Sequence, residues 1–301
     1  MVRVQVPATT ANLGPGFDCL GMALQLYNSV EMSLTSSSGL YIEVQGEGSP
    51  DIPRNENNMV YQAALRVFKM VGNKPAGLRL KLINNIPIAR GLGSSSAAIA
   101  GGMIAANILS GNTLTHKEII NLAHGMEGHP DNLAAAVLGG IVVAVSTEGE
   151  IRFQKIPPPK NLRTVVAIPD FTLSTRTARE ALPQQIPLSD AAFNLGRVAL
   201  LVAALFTGDI NQFGPAMEDR LHQPYRTSLV PGMKKVFAAA KLAGAKGVAL
   251  SGAGPAIIAY TDDNVELIAR VMRETFRQNG ISAKSLILGI SPVGARALEI
   301  K

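Results

Sequence analysis

The stretch that most constrains this chain runs from residue 78 to residue 109. Leu78, Leu80 and Leu82 alternate with Arg79 and Lys81, the period-two pattern of a half-buried strand. A short segment carrying Pro87, Arg90, Gly91, Gly93 and three consecutive serines follows, and residues 97–109, rich in Ala, Ile and Met, then read as a buried helix. Strand, Gly/Ser loop and helix form one unit. Glycines let backbone N–H groups converge on an anion, and a helix start adds unpaired N–H groups and its dipole. Residues 91–96 alone fit such a cradle and a solvated, serine-capped loop equally well. Two other phosphate loops are excluded, because neither Gly-x-x-x-x-Gly-Lys-Ser/Thr nor Gly-x-Gly-x-x-Gly occurs.

The rest of the chain supplies ordinary elements in mixed order. Strands are expected at 2–6, 40–45, 78–83, 141–146, 162–168, 247–250, 256–260 and 285–289. Helices are expected at 58–71, 97–109, 117–126, 191–206, 231–242 and 264–278, with a short Ala-rich helix after Asn132. This order, without regular strand–helix alternation, argues for an α+β fold. A length of 301 residues suggests two domains. Three prolines at 157–159 mark the link, giving units at 1–156 and 157–301. At 47% hydrophobic and 17% charged residues, disorder is excluded by composition. Cys19, the single cysteine, cannot form an intrachain disulfide. The first residues lack signal-peptide features, and the apolar stretch 133–145 is too short for a bilayer, so a soluble cytoplasmic protein is expected. The net charge of +6 favours an anionic partner, whether nucleic acid, nucleotide or phosphorylated metabolite.

Four further segments hold chemistry-bearing residues. Residues 7–19 place Thr9, Asn12 and Asp18 on a Gly/Pro-shaped loop, where Asp18 suits an amino group and Asn12 a carboxylate or hydroxyl. Ordinary turns use the same residues. In residues 127–132, Glu127 suits Mg²⁺ as a hard oxygen ligand. A transition metal fits less well, since His124 and His129 are five apart and His-Glu-x-x-His is missing. Pro130 and Asp131 are equally the opening of a helix. Thr175, Arg179 and Arg226 lie near helix ends, and arginine grips carboxylate or phosphate at two points, although an isolated arginine is commonly just solvated. Gly252 and Gly254 sit between two apolar strands, as a hairpin turn or as a loop over a shared pocket.

In this order the segments resemble the GHMP kinase superfamily and, within it, the homoserine kinase family, over nearly the whole chain. Pro87-Ile-Ala-Arg-Gly-Leu-Gly-Ser-Ser-Ser-Ala97 is similar to the superfamily phosphate motif. Residues 7–18, 127–132, 174–179 and 251–255 narrow the match to the family. The resemblance implies a two-domain GHMP kinase fold, with an N-terminal part like domain 2 of ribosomal protein S5 and a ferredoxin-like C-terminal part. It implies ATP-dependent phosphorylation of the L-homoserine hydroxyl, in threonine biosynthesis, by a homodimer. Pro87, Ile88, Ala89, Arg90, Gly91, Leu92, Gly93, Ser94, Ser95, Ser96 and Ala97 would wrap the triphosphate, with Asn58 near adenine. Ser95 and Glu127 would hold Mg²⁺. Asn12, Asp18, His129, Thr175, Arg179 and Arg226 would bind homoserine, Asp18 at its amino group and the arginines at its carboxylate, with backbone contacts from Gly252 or Gly254.

Mevalonate-kinase-like members carry an Asp that takes the hydroxyl proton. The matching position here is Asn132, which cannot act as a base. Asp131 is adjacent and faces another way. Catalysis by positioning and charge neutralisation is therefore expected. A related GHMP kinase with another hydroxyl substrate is the nearest alternative. A nucleic-acid-binding protein is disfavoured by 5% aromatic residues and scattered basic ones.

Overall fold

The computed structural model describes residues 1–300. In the first half, β1 (Val2–Asn12), β2 (Gly16–Thr35), β3 (Gly39–Gly46), α1 (Met59–Met70) and β4 (Gly77–Asn84) are followed by α2 (Ser94–Leu109), α3 (His116–Glu127), α4 (Asp131–Leu138), β5 (Ile141–Thr147) and β6 (Glu150–Ile156). The second half holds β7 (Arg163–Pro169), α5 (Thr175–Glu180), α6 (Leu188–Thr207), α7 (Phe213–Ala216), α8 (Gln223–Arg226), α9 (Met233–Leu242), β8 (Gly247–Leu250), β9 (Ile257–Thr261), α10 (Val265–Gln278), β10 (Ala283–Leu288) and β11 (Arg296–Ile300).

The first sheet runs β11-β1-β2-β4-β3, with the β5–β6 hairpin branching from β2. Helices α2 and α4 pack on β1 and β2, and α1 packs on α2. Residues 7–19 are thus not a free loop. β1 continues through them to Asn12, and a tight turn returns the chain as β2, with Asn12, Leu13 and Asp18 all at positive φ. The 20-residue β2 has no counterpart among the sequence expectations. Its alternation breaks at a register shift beside Pro7 and Ala8, and its partners change there from β4 (Ser29–Thr35) to β5 (Leu20–Met22).

The second sheet runs β10-β7-β9-β8, all antiparallel. With α9 and α10 it follows the β-α-β-β-α-β path of a ferredoxin-like unit, α5 to α8 being inserted after β7. Val165, Val248 and Ile257 face α9 and α10 through Val236, Ile268, Met272 and Phe276. Val166, Ala249 and Ile258 face the other way, into the core shared with the first half. Burial on both faces explains why these strands read as continuous apolar runs.

The prolines at 157–159 lie between β6 and β7, that is, between the sheets. The last strand departs from a clean division at 157. β11 pairs with β1 and covers what would otherwise be an open edge of the first sheet. Helix α6, with a mean hydropathy of 1.5, is long and apolar enough by composition to cross a bilayer. Its Asn194 and Arg197 bind Asp219 and Glu218, and Asp190 binds Arg220.

Candidate active site

The loop between β4 and α2 takes its shape from left-handed backbone, which glycine adopts freely and an L side chain such as that of Ala89 does not. Ala89, Gly91 and Gly93 have φ of 51°, 77° and 67°. Gly93 is the N-cap of α2 and offers no side chain to the first N–H groups of that helix. A Cβ on Gly93 would run into Thr9 Oγ1, and one on Gly91 into the Ser251 carbonyl. Neighbouring segments close on the loop. Thr9 N–H donates to Leu92 O at 3.1 Å, Leu173 N–H to Ala89 O at 3.1 Å, and Ala256 N–H to Arg90 O at 3.2 Å. The Ser251 hydroxyl lies 2.6 Å from Gly91 O and 2.8 Å from Thr10 Oγ1.

A cavity of about 490 Å³ opens above this loop. Asn58, Glu127, His129, Asn132, Thr175, Gly252 and Gly254 line it together with residues 87–97, so most of the sequence candidates converge. Glu127 ends α3, where Gly128 turns the chain at φ 82°. Its two carboxylate oxygens receive the Ser96 hydroxyl at 2.8 and 2.7 Å. Burial pushes its carboxyl pKa up, against the pull of that hydroxyl. No group of three His, Cys, Asp or Glu residues able to hold a metal exists among the described residues. One buried carboxylate with serine hydroxyls suits Mg²⁺, which keeps waters and takes phosphate oxygens for the rest of its shell. Ser96 holds Glu127 most closely, and the Ser95 hydroxyl also pulls on that carboxyl. Ser95 is exposed, with its hydroxyl 3.1 Å from Met59 Sδ.

Asn132 lies in the first turn of α4. Its Oδ1 accepts the Thr9 hydroxyl at 2.8 Å, and its Nδ2 lies 3.3 Å from Asp131 Oδ1. Asp131 is buried and its Oδ1 also accepts the Asn132 N–H at 2.6 Å. His129 Nδ1 lies 3.5 Å from the same oxygen. That contact raises the His129 pKa, against the effect of burial.

Four expected substrate residues stand behind the cavity wall rather than in it. Asn12 is buried and occupied at both ends. Its Nδ2 donates to Gly252 O at 3.0 Å and its Oδ1 accepts the Asp18 N–H at 3.1 Å. Asp18 and Arg179, expected to take opposite ends of a substrate, take each other, at 2.6 and 3.1 Å. Arg226 is buried, donating to Ala178 O at 3.1 Å and Gly252 O at 3.1 Å, and meeting His222 Nδ1 at 3.2 Å. Burial lowers its pKa to about 10. The Asn58 side chain is likewise committed. It caps α1 through Val60 and Tyr61 N–H and donates to Pro53 O, so it gives the cavity shape and not a free amide.

Sequence reading missed Ser96 as the Glu127 anchor, Thr9 as the Asn132 partner, and the cluster of Phe17, Asp219 and His222. The triplet Asp219, His222 and Arg226, spaced three and four, was the available signal.

Two family models match the chain, GHMP kinases N terminal domain over residues 58–140 and GHMP kinases C terminal over residues 201–278. The chain belongs to the GHMP kinases. A homoserine kinase of Moorella thermoacetica is 47% identical over 300 residues, covering 100% of both chains, and one of Carboxydothermus hydrogenoformans is 48% identical over 94% of this chain and 92% of its own. The crystal structure of homoserine kinase from Cytophaga hutchinsonii superposes with a TM-score of 0.92 at 32% identity, over 99% of this chain and 97% of that one. Within the GHMP kinases, the chain belongs to the homoserine kinase family.

Proposed function

We propose that the cavity takes ATP with Mg²⁺ and that the chain transfers the γ-phosphoryl group to the side-chain hydroxyl of L-homoserine. The products are ADP and O-phospho-L-homoserine. The observation that carries this reading is the Asp18–Arg179 pair behind the cavity wall. A carboxylate and a guanidinium held together match the ammonium and carboxylate of an α-amino acid. Thr175, one helical turn before Arg179, lines the cavity, and Asn12 ties Asp18 to Gly252 on its rim.

The loop and the start of α2 hold the phosphates through backbone N–H groups. Glu127 and the Ser95 hydroxyl would hold Mg²⁺, which would supply charge to offset that of the triphosphate. Asn132, fixed by Thr9, orients the substrate hydroxyl, with His129 and Thr175 near it. The hydroxyl oxygen forms a bond to the γ-phosphorus, and the bond from that phosphorus to the bridging oxygen breaks, leaving ADP. The hydroxyl proton passes to a phosphoryl oxygen, because Asn132 accepts none. Asp18 and Arg179 part to receive the two ends of homoserine, and Arg226 backs the carboxylate. The same reading extends to a cytoplasmic homodimer. Leu188, Leu195 and Phe206, exposed on α6, offer it an apolar face.

An ADP-release assay with Mg-ATP tests the substrate. Homoserine should exceed mevalonate, galactose, serine and shikimate. An equal or larger response to any of these would overturn the reading, in favour of another GHMP kinase specificity. Sedimentation equilibrium measures the dimer.

A further inference from the structure

Around His222 lies a cluster whose His222 and Asp219 side chains are fully buried and that no step above uses. The His222 side chain is 0% exposed, and so is that of Asp219. Both ring nitrogens of His222 are engaged. Nε2 is 2.7 Å from the Gly14 carbonyl oxygen, and Nδ1 is 3.2 Å from Arg226 Nη1. Phe17 stacks on the ring, with centroids 5.2 Å apart and planes at 27°. Asp219 fixes the backbone beneath it, accepting the N–H groups of Leu221, His222 and Gln223 and the Asn194 amide.

The partners determine the tautomer. A guanidinium only donates, so Nδ1 must present its lone pair to Arg226. A carbonyl only accepts, so Nε2 must carry the proton toward Gly14. His222 is therefore a neutral Nε2–H imidazole joining the Gly14 carbonyl to Arg226, with Asp219 Oδ2 3.5 Å from the same Nε2. Adding a proton would turn an N–H toward Arg226. Burial, the larger influence, together with Arg226 also lowers its pKa, while Asp219, Asp18 and the Gly14 carbonyl oppose that shift.

The two groups that His222 joins belong to different halves of the chain. Gly14 lies in the turn between β1 and β2, which carries Asn12, Phe17 and Asp18. Arg226 reaches Gly252, on the cavity rim, and Ala178, next to Arg179. No hydrogen bond among the described residues uses Arg226 Nη2, which leaves that nitrogen for a ligand carboxylate.

We infer that His222 is a positioning residue for the amino-acid side of the site. It orients the Arg226 guanidinium and locks it to the Gly14 turn, so that Arg226 and Asp18 are presented as one unit. It touches neither nucleotide nor reacting hydroxyl. The inference rests on Arg226 facing the substrate carboxylate, and the two can fail separately.

The test compares His222→Leu, which strands both partners, with His222→Gln, which keeps one N–H donor and one acceptor. Steady-state kinetics are measured for both substrates, with Arg226→Met and the double variant His222→Leu/Arg226→Met alongside. His222→Leu should raise KM for homoserine roughly 10- to 100-fold and leave KM for ATP within about twofold. His222→Gln should recover much of that loss. In the Arg226→Met background, His222→Leu should add almost nothing. Equal rises in both KM values, or full additivity with Arg226→Met, would overturn the role of His222. An unchanged homoserine KM in Arg226→Met would overturn the carboxylate assignment instead. Nitrogen-15 NMR of the unmutated protein gives a readout independent of folding of the variants. His222 should show the neutral Nε2–H pattern near pH 7, and a protonated or Nδ1–H ring would overturn the inference.

Discussion

The Arg179 guanidinium and the Asp18 carboxylate, 161 residues apart in sequence, meet as a two-point ion pair, Nη2 to Oδ1 at 2.6 Å and Nη1 to Oδ2 at 3.1 Å. Each side chain is about a third exposed, so the pair is screened and open to exchange. A zwitterionic substrate replaces one ion pair by two. A substrate with a single charge leaves one partner stranded. 3-Aminopropan-1-ol, which lacks the carboxylate, and 4-hydroxybutanoate, which lacks the amine, should each lose at least about 100-fold in kcat/KM relative to homoserine. ADP release measures all three, and parity for either analogue contradicts the assignment.

Asn132 and Asp131 are adjacent but differently employed. Asn132 binds Thr9 and lines the cavity, whereas Asp131 bonds the backbone of its neighbour and faces His129. Asn132→Ala should lower kcat roughly 100-fold with little change in KM for ATP. Thr9→Val, which removes only the support, should cost less, roughly tenfold. If Asp131→Asn abolished turnover in a folded, ATP-binding protein, proton abstraction by Asp131 would have to be reconsidered.

Glu127 should trade stability against activity. Its pKa is raised chiefly by burial, so the ionised form opposes folding. That part of the stability is present at low pH and is lost as the pH rises through the folded-state pKa. Glu127→Gln keeps an acceptor for Ser96 without the charge. Without nucleotide and metal, its Tm at pH 8 should equal or exceed that of the unmutated protein, while kcat falls roughly 100-fold. A lower Tm at that pH contradicts the argument.

Gly93→Ala combines a left-handed φ of 67° with a methyl group directed at Thr9 Oγ1. Strain of about 1–3 kcal/mol is expected in urea unfolding. Because the distortion falls at the start of α2, KM for ATP should rise more than KM for homoserine.

His129 has a raised pKa, mainly through Asp131. Its protonated form therefore stabilises the fold. The contribution is full below the ordinary value of 6.5 and disappears as pH rises through the folded-state pKa. The difference in urea midpoint between the unmutated protein and His129→Gln should be larger at pH 5.5 than at pH 8.5. The reverse order would show that burial outweighs Asp131.

The glycine loop was legible in the sequence because its constraint is local. Strand, positive-φ glycines and helix start follow one another within a few residues. β2 was not, since the exchange of partners near residues 24–27 removes the single alternation a reader looks for. Asp18 and Arg179 were both recognisable as candidates, but their pairing depends on β2 meeting α5, which no spacing encodes. Ser95 and Ser96 differ only in the direction each takes from the helix axis, so the coordinates were needed to show that Ser96 is the one buried against Glu127. The triplet Asp219, His222 and Arg226 has helical spacing, yet burial of its side chains is what separates it from a charged surface turn.

The pairing of β11 with β1 has a consequence for the order in which the molecule can be finished. β1 lies at the sheet border until residues 296–300 have been synthesised. At about 5–20 residues per second, that leaves roughly 15–60 s in which a nascent chain carries β1, already paired with β2, with its Val2–Gln5 edge open. Closing that edge of the first sheet thus waits for residues 296–300, and shielding by chaperones should matter most during that interval.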